Sequence, residues 1–169
     1  MTQMLMSMAM TEGIGFMRWQ EQQGMMLDFI YVRRAYFYAE SKRAVSVDLP
    51  PEDHEDGMCG KLLKSTYGTR DAAQNWELEY SRFMQDLGFS RGRAYPCVFY
   101  HPGRNIRTAI HGGDFTLLGR AKDLDWFRTQ PAQDYAVKFR VATGTKERRG
   151  QVGQDTQHDI AVGRGLYHV

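Results

Sequence analysis

The run LDFIYVRRAYFY, from Leu27 to Tyr38, concentrates aromatic and β-branched residues. That composition predicts a core strand passing into a turn or short helix. Ala44 to Leu49 alternates apolar with polar positions and predicts a second short strand, ended by Pro50-Pro51 and followed by an acidic loop from Glu52 to Gly57. Met58 to Ser65 can supply a third strand. The clearest periodicity lies between Asp71 and Leu87, where Trp76, Tyr80, Phe83, Met84 and Leu87 fall at i, i+4, i+7, i+8 and i+11 and give a helix one apolar face. Thr69 or Asp71 is placed to cap its start, and Gly88 to end it in the left-handed conformation.

Downstream, Cys97 to His101 reads as a strand, Pro102 to Asn105 as a turn and Ile106 to Ile110 as the return strand. Gly112-Gly113 suits a two-residue hairpin connection with positive φ at both positions, and Phe115 to Leu118 is the outgoing strand. Ala121 to Thr129 predicts a short helix closed before Pro131, and Tyr135 to Val141 a last strand. The order predicts an α+β fold with helices on one face of an antiparallel sheet.

Composition narrows this only a little. Apolar residues make up 42% of the 169 and charged residues 25%, which suits one globular domain with a sizeable core. A net charge of +2 is too small to point to a polyanion, because recognition depends on where the cations cluster. Five basic residues, Lys138, Arg140, Lys146, Arg148 and Arg149, stand against Glu147 alone between positions 138 and 151. They read either as a surface following a nucleic-acid backbone or as a solvated tail. Cys59 and Cys97 have no ligand spacing and read as small buried hydrophobes in a reducing compartment. The five histidines have no paired ligand spacing either, so no zinc site is expected. No window supplies the ~18 to 20 apolar residues of a membrane span, and no secretion signal is recognisable, so an intracellular protein, cytoplasmic or nuclear, is expected. Residues 1 to 26 hold eight of the ten methionines and read as a mobile arm. Residues 27 to 141 carry the folded pattern, and 142 to 169 read as a polar, flexible tail.

Two segments carry most of a resemblance, and a third extends it. Tyr67-Gly68-Thr69-Arg70-Asp71-Ala72-Ala73-Gln74-Asn75-Trp76 is similar to the Tyr-Gly-Leu-Lys-Gln-Ala-Pro-Arg-Ala-Trp motif of copia-type retrotransposon reverse transcriptases. His111-Gly112-Gly113-Asp114 falls where that family has a hairpin motif similar to Tyr-Val-Asp-Asp, and Tyr31-Val32-Arg33-Arg34-Ala35-Tyr36 where it has Asp-Val-Lys-x-Ala-Phe. The likeness spans about Leu27 to Phe139. It implies a polymerase palm with incomplete fingers and no thumb, part of a retrotransposon polyprotein. Its implied function is that of an RNA-directed DNA polymerase acting on an RNA template and DNA primer with Mg2+.

The same resemblance implies a damaged site. A palm holds two Mg2+ ions about 3.5–4 Å apart on carboxylates from neighbouring strands. Tyr31 and Gly113 occupy two of the three acid positions, which leaves Asp114 as the remaining catalytic and metal-binding carboxylate. Asp28, three residues from Tyr31, lies on the opposite face of a regular strand and reads as an exposed strand-start residue. Tyr36 matches the family's sugar-stacking aromatic, or is a core aromatic. Arg70 and Asp71 match the nucleotide-binding helix start, where Arg70 keeps the basic role and Asp71 replaces Gln. Asp71 also reads as an ordinary helix-start residue. The expectation is a catalytically inactive palm, with a non-enzymatic nucleic-acid-binding or functionless fragment as the alternative.

Overall fold

The computed structural model describes residues 25–143 and 166–168, and for 141–143 and 166–168 it describes the backbone. The Met-rich arm, through residue 24, and the tail at 144–165 and 169 lie outside the described residues. β1 (Met26–Val32) runs into a single 3-10 turn at Ala35–Tyr38, as the aromatic run predicts. β2 (Ser46–Val47) and β3 (Met58–Lys61) follow, separated by a short 3-10 turn at Pro51–Asp53. Then come α1 (Ala72–Asp86), β4 (Ser90–Arg91), β5 (Val98–His101), β6 (Ile106–His111) and β7 (Asp114–Gly119). α2 (Ala121–Thr129), α3 (Pro131–Asp134), β8 (Val137–Thr143) and β9 (Leu166–His168) complete the set.

Six strands form one antiparallel sheet in the order β4-β5-β6-β7-β1-β8, and β2, β3 and β9 form a separate three-stranded sheet. The α+β class is therefore as expected. Side chains alternate across the large sheet, so its two faces can be read from register. Ile30 and Val32 of β1, Phe115 and Leu117 of β7, Ile106 and Ile110 of β6 and Phe99 of β5 are buried in one cluster with Trp76, Tyr80 and Met84 of α1 and Leu124 and Phe127 of α2. Full burial of each such side chain contributes roughly 1.5–3 kcal/mol, which makes this cluster the main stabilising contact of the fold. Both helices thus lie on one face. The odd-numbered residues of β1 point to the other face, where Leu27 and Phe29 form a smaller cluster with Ala109 and Leu118.

Several expectations need correction. β2 is two exposed residues rather than six, because neither side of it is buried and only Ser46 and Val47 pair with β3. β3 ends at Lys61, before Ser65. Neither proposed residue caps α1 with its side chain: Thr69 Oγ1 donates to the Thr66 carbonyl, and Asp71 accepts from Asn75 one turn along. The C-terminal expectation holds, with Gly88 at φ +90°. In the hairpin only Gly112 has a positive φ, +56°. α3 was not anticipated; Pro131, pre-set at a helical φ, starts this extra turn directly after α2. β8 reaches Thr143, and β9 adds a strand within the region read as tail, paired to β3.

Candidate functional site

The hairpin between β6 and β7 is held from two sides. The Trp76 indole N–H donates to the Gly112 carbonyl at 2.7 Å, and the Val32 amide donates to the Gly113 carbonyl at 2.8 Å. Trp76 is 1% exposed and Gly112 lies at the turn, so α1, the hairpin and the end of β1 form one fixed frame. The two segments that carry the resemblance are joined by that indole bond.

Inside this frame the sequence-predicted positions converge. Tyr31 and Asp114 are direct cross-strand partners, and Gly113 precedes Asp114 in the turn. A Cβ added at Gly113 would lie 2.6 Å from the Val32 carbonyl oxygen, 3.3 Å from Tyr31 Cε2 and 3.4 Å from the Ala35 Cβ. Glycine is therefore required here by close backbone approach, not by backbone φ. A side chain of any size would push against β1. The register extends the row across four strands: His111 faces Asp114, Asp114 faces Tyr31, and Tyr31 faces Lys138. His111, Asp114 and Lys138 are exposed, and Tyr31 is half-buried.

A second group of rings adjoins the row. Tyr36, in the turn after β1, packs its ring 4.6 Å from that of Tyr67, and Phe37 lies 5.8 Å from Tyr67. Partial burial, then the neighbouring phenols of Tyr31 and Tyr36, push the Tyr67 hydroxyl above its ordinary range. Tyr67 is 53% exposed, so this aromatic surface is open to solvent. Tyr36 is accordingly a half-buried member of a surface cluster that also packs on the core.

Arg70 is exposed in the turn before α1, and its guanidinium has no hydrogen-bond partner among the described residues. Asp71 behaves differently. Desolvation works against its ionised form, but its own backbone N–H, the Asn75 amide and Arg43 outweigh this and hold its pKa below the usual carboxylate range. Asn75 donates to Asp71 Oδ2 at 3.2 Å and to Ser65 Oγ at 3.0 Å, and Arg43 reaches Asp71 Oδ1 at 3.4 Å. Asp71 thus ties the start of α1 to the preceding loops.

Asp28 overturns its expectation. It is 1% exposed, on the helix-covered face, and Arg128 of α2 grips it with two bonds of 2.7 Å, Nε to Oδ2 and Nη2 to Oδ1. The Arg128 guanidinium also lies over the Phe139 ring at 5.6 Å. The hydrogen bonds from Arg128 to Asp28 raise the arginine pKa further, so the guanidinium keeps its charge. The two residues are 100 positions apart, which leaves no local sequence signal for the pair. Asp28 faces away from Tyr31 and contributes nothing to the row.

The residues present do not fit a pair of Mg2+ ions. Among the described residues no group of three or more His, Cys, Asp or Glu side chains could hold a metal. Tyr31 and Gly113 supply no carboxylate, and hard cations at close spacing need several. On the same face a groove of about 520 Å³ runs past Phe29, Ala109, His111, Asp114, Thr116 and Arg140. Lys138 and Arg140 project from β8, its edge strand, toward this side. The Trp76 bond, the Tyr67 ring packing and the facing of His111 with Asp114 carry no local sequence signal, because the first two join segments distant in the chain and the third depends on strand register. No helix among the described residues is long and apolar enough to cross a membrane. No protein-family model matches the chain, and no curated protein or solved structure is significantly similar to it.

Proposed function

We propose that this chain is a palm-like domain of the copia-type reverse-transcriptase kind that no longer polymerises. The observation that carries the reading is the meeting of Tyr31, Gly113 and Asp114 at one end of adjacent strands, with the motif tryptophan Trp76 bonded to the turn between them. The motif likeness was drawn from separate stretches of sequence, and their spatial convergence supports treating them as one site. The absence of acids at positions 31 and 113 supports loss of the chemistry, because a lone carboxylate cannot clamp two divalent ions against a primer end and a nucleotide. Primer extension on an RNA template with Mg2+ or Mn2+ is expected to give no product. Incorporation by the native sequence would overturn the loss of activity.

A second, non-enzymatic reading is favoured by one observation: exposed Lys138 and Arg140 share the face opposite the helices with Tyr31 and Phe29. Cations interleaved with rings suit a nucleic-acid strand, such as the RNA template or DNA primer of the parent reaction. Fluorescence anisotropy with a labelled RNA/DNA hybrid tests it. Affinity should fall steeply with added salt and weaken in Lys138→Gln/Arg140→Gln.

A further inference from the structure

The row on the face opposite the helices places an imidazole, a carboxylate and a phenol on successive strands, His111 opposite Asp114 and Asp114 opposite Tyr31. Directly opposed residues in such a ladder hold their Cβ atoms about 4.5–5.5 Å apart. His111 and Asp114 are exposed, and neither side chain has a hydrogen-bond or ion-pair partner among the described residues. Their backbone is fixed by the Trp76 and Val32 bonds to the two turn carbonyls. Two free donors therefore stand side by side on a rigid hairpin.

We propose that His111 and Asp114 form a binding site for one divalent transition ion of the zinc and copper class, with the Tyr31 hydroxyl beside it. Imidazole nitrogen and carboxylate oxygen bind such ions at about 2.0–2.2 Å, and rotation of two exposed side chains from neighbouring Cβ positions brings both to one ion. Mg2+ is disfavoured because it takes oxygen ligands in near-octahedral array, and one of the two side chains here offers nitrogen. Presenting His111 beside a single carboxylate thus sets which metal the hairpin selects. No third His, Cys, Asp or Glu joins the group among the described residues, so water fills the remaining positions and the ion exchanges readily. Affinity follows the order Cu2+ above Ni2+ and Zn2+, with Mg2+ far below. The inference needs only the cross-strand register and holds whether or not the chain descends from a polymerase.

The molecule contains its own competitor. His54 Nε2 lies 3.6 Å from Asp56 Oδ1 in the acidic loop, an imidazole and a carboxylate without a fixed frame. Amide NMR of the full chain with substoichiometric Ni2+ or Cu2+ separates the two. Paramagnetic broadening is expected at residue 31 and residues 111 to 114, to persist in His54→Asn, and to need at least tenfold more metal in His111→Asn and in Asp114→Asn. Mg2+ at the same concentration should leave those amides unmoved. Both substituted residues are exposed, and the unchanged remainder of each spectrum verifies the fold. Broadening centred elsewhere, or undiminished in His111→Asn, overturns the site.

Discussion

β1 divides the molecule into two regions with opposite uses of charge. On its helix-covered face Asp28 is buried and doubly bonded to Arg128. On its opposite face, three residues along, Tyr31 faces an exposed Asp114 whose side chain has no hydrogen-bond or ion-pair partner among the described residues. A buried carboxylate must be fully paired because its desolvation costs several kcal/mol, whereas an exposed one keeps its water and remains free to meet a ligand. Acidity alone therefore does not mark a functional residue. On two adjacent strands, facing decides whether an aspartate is locked into the fold or left open to solvent.

The largest effect should come from breaking the covered pair. Arg128→Met leaves the Asp28 carboxylate buried without a cation, and a loss of about 3–5 kcal/mol in urea unfolding is expected. The double variant Asp28→Leu/Arg128→Met, which removes both charges, should recover most of that loss. Asp114→Asn on the open face should change stability by less than about 0.5 kcal/mol. Similar losses from Asp114→Asn and Arg128→Met would erase the distinction between the two faces.

Most of the elements were legible in the sequence because they follow local patterns. The apolar face of Trp76, Tyr80 and Met84 gave α1 to within a residue or two, and the run Leu27 to Tyr38 gave β1 and its 3-10 turn. The convergence of positions 31, 113 and 114 was legible only through the motif resemblance. What stayed hidden depends on partners far away in the chain. Asp28 looks like a strand-start acid until α2 brings Arg128 over it, and Gly113 looks like a turn glycine until β1 brings the Val32 carbonyl against it. His111 has no histidine at ligand spacing, but the two-residue turn sets it opposite an aspartate.

That close approach sets the next effect. Placing the acids that the motif resemblance implies, Tyr31→Asp/Gly113→Asp, puts a Cβ at 113 only 2.6 Å from backbone oxygen. Overpacking against backbone costs about 1–3 kcal/mol, and Tyr31→Asp alone, at a half-buried position, should cost less. The double variant is expected to lower the urea midpoint without yielding primer extension. A stable, active double variant would show that the hairpin relaxes away from β1 more easily than the packed geometry implies.

Trp76→Phe is a milder test of the same frame. It keeps most of the buried ring and removes only the indole donor to the Gly112 carbonyl. Losing that bond should cost about 1 kcal/mol. The loss should be local, with faster hydrogen exchange at the Val32 amide, which donates to the next carbonyl of the turn. Metal-induced broadening at residues 111 to 114 should weaken with it, because the two ligands would then be held by a looser turn.

The smallest effect concerns a second aspartate–arginine contact, Asp71 with Arg43, which is exposed where Asp28 with Arg128 is buried. The folded state depresses the Asp71 pKa through its own backbone N–H, Asn75 and Arg43, against desolvation. A depressed pKa means the unfolded state binds the proton more readily, so the contribution is present above the unfolded value near 4 and is lost as pH falls through the lower folded value. Asp71→Asn should lower the plateau near neutrality slightly and flatten the acid limb below about pH 4 by the same small amount. The buried pair makes no comparable contribution through Arg128, whose raised pKa lies far above this range. A large loss near pH 7 from Asp71→Asn would mean that the start of α1 depends on this exposed contact as strongly as the sheet depends on the buried one.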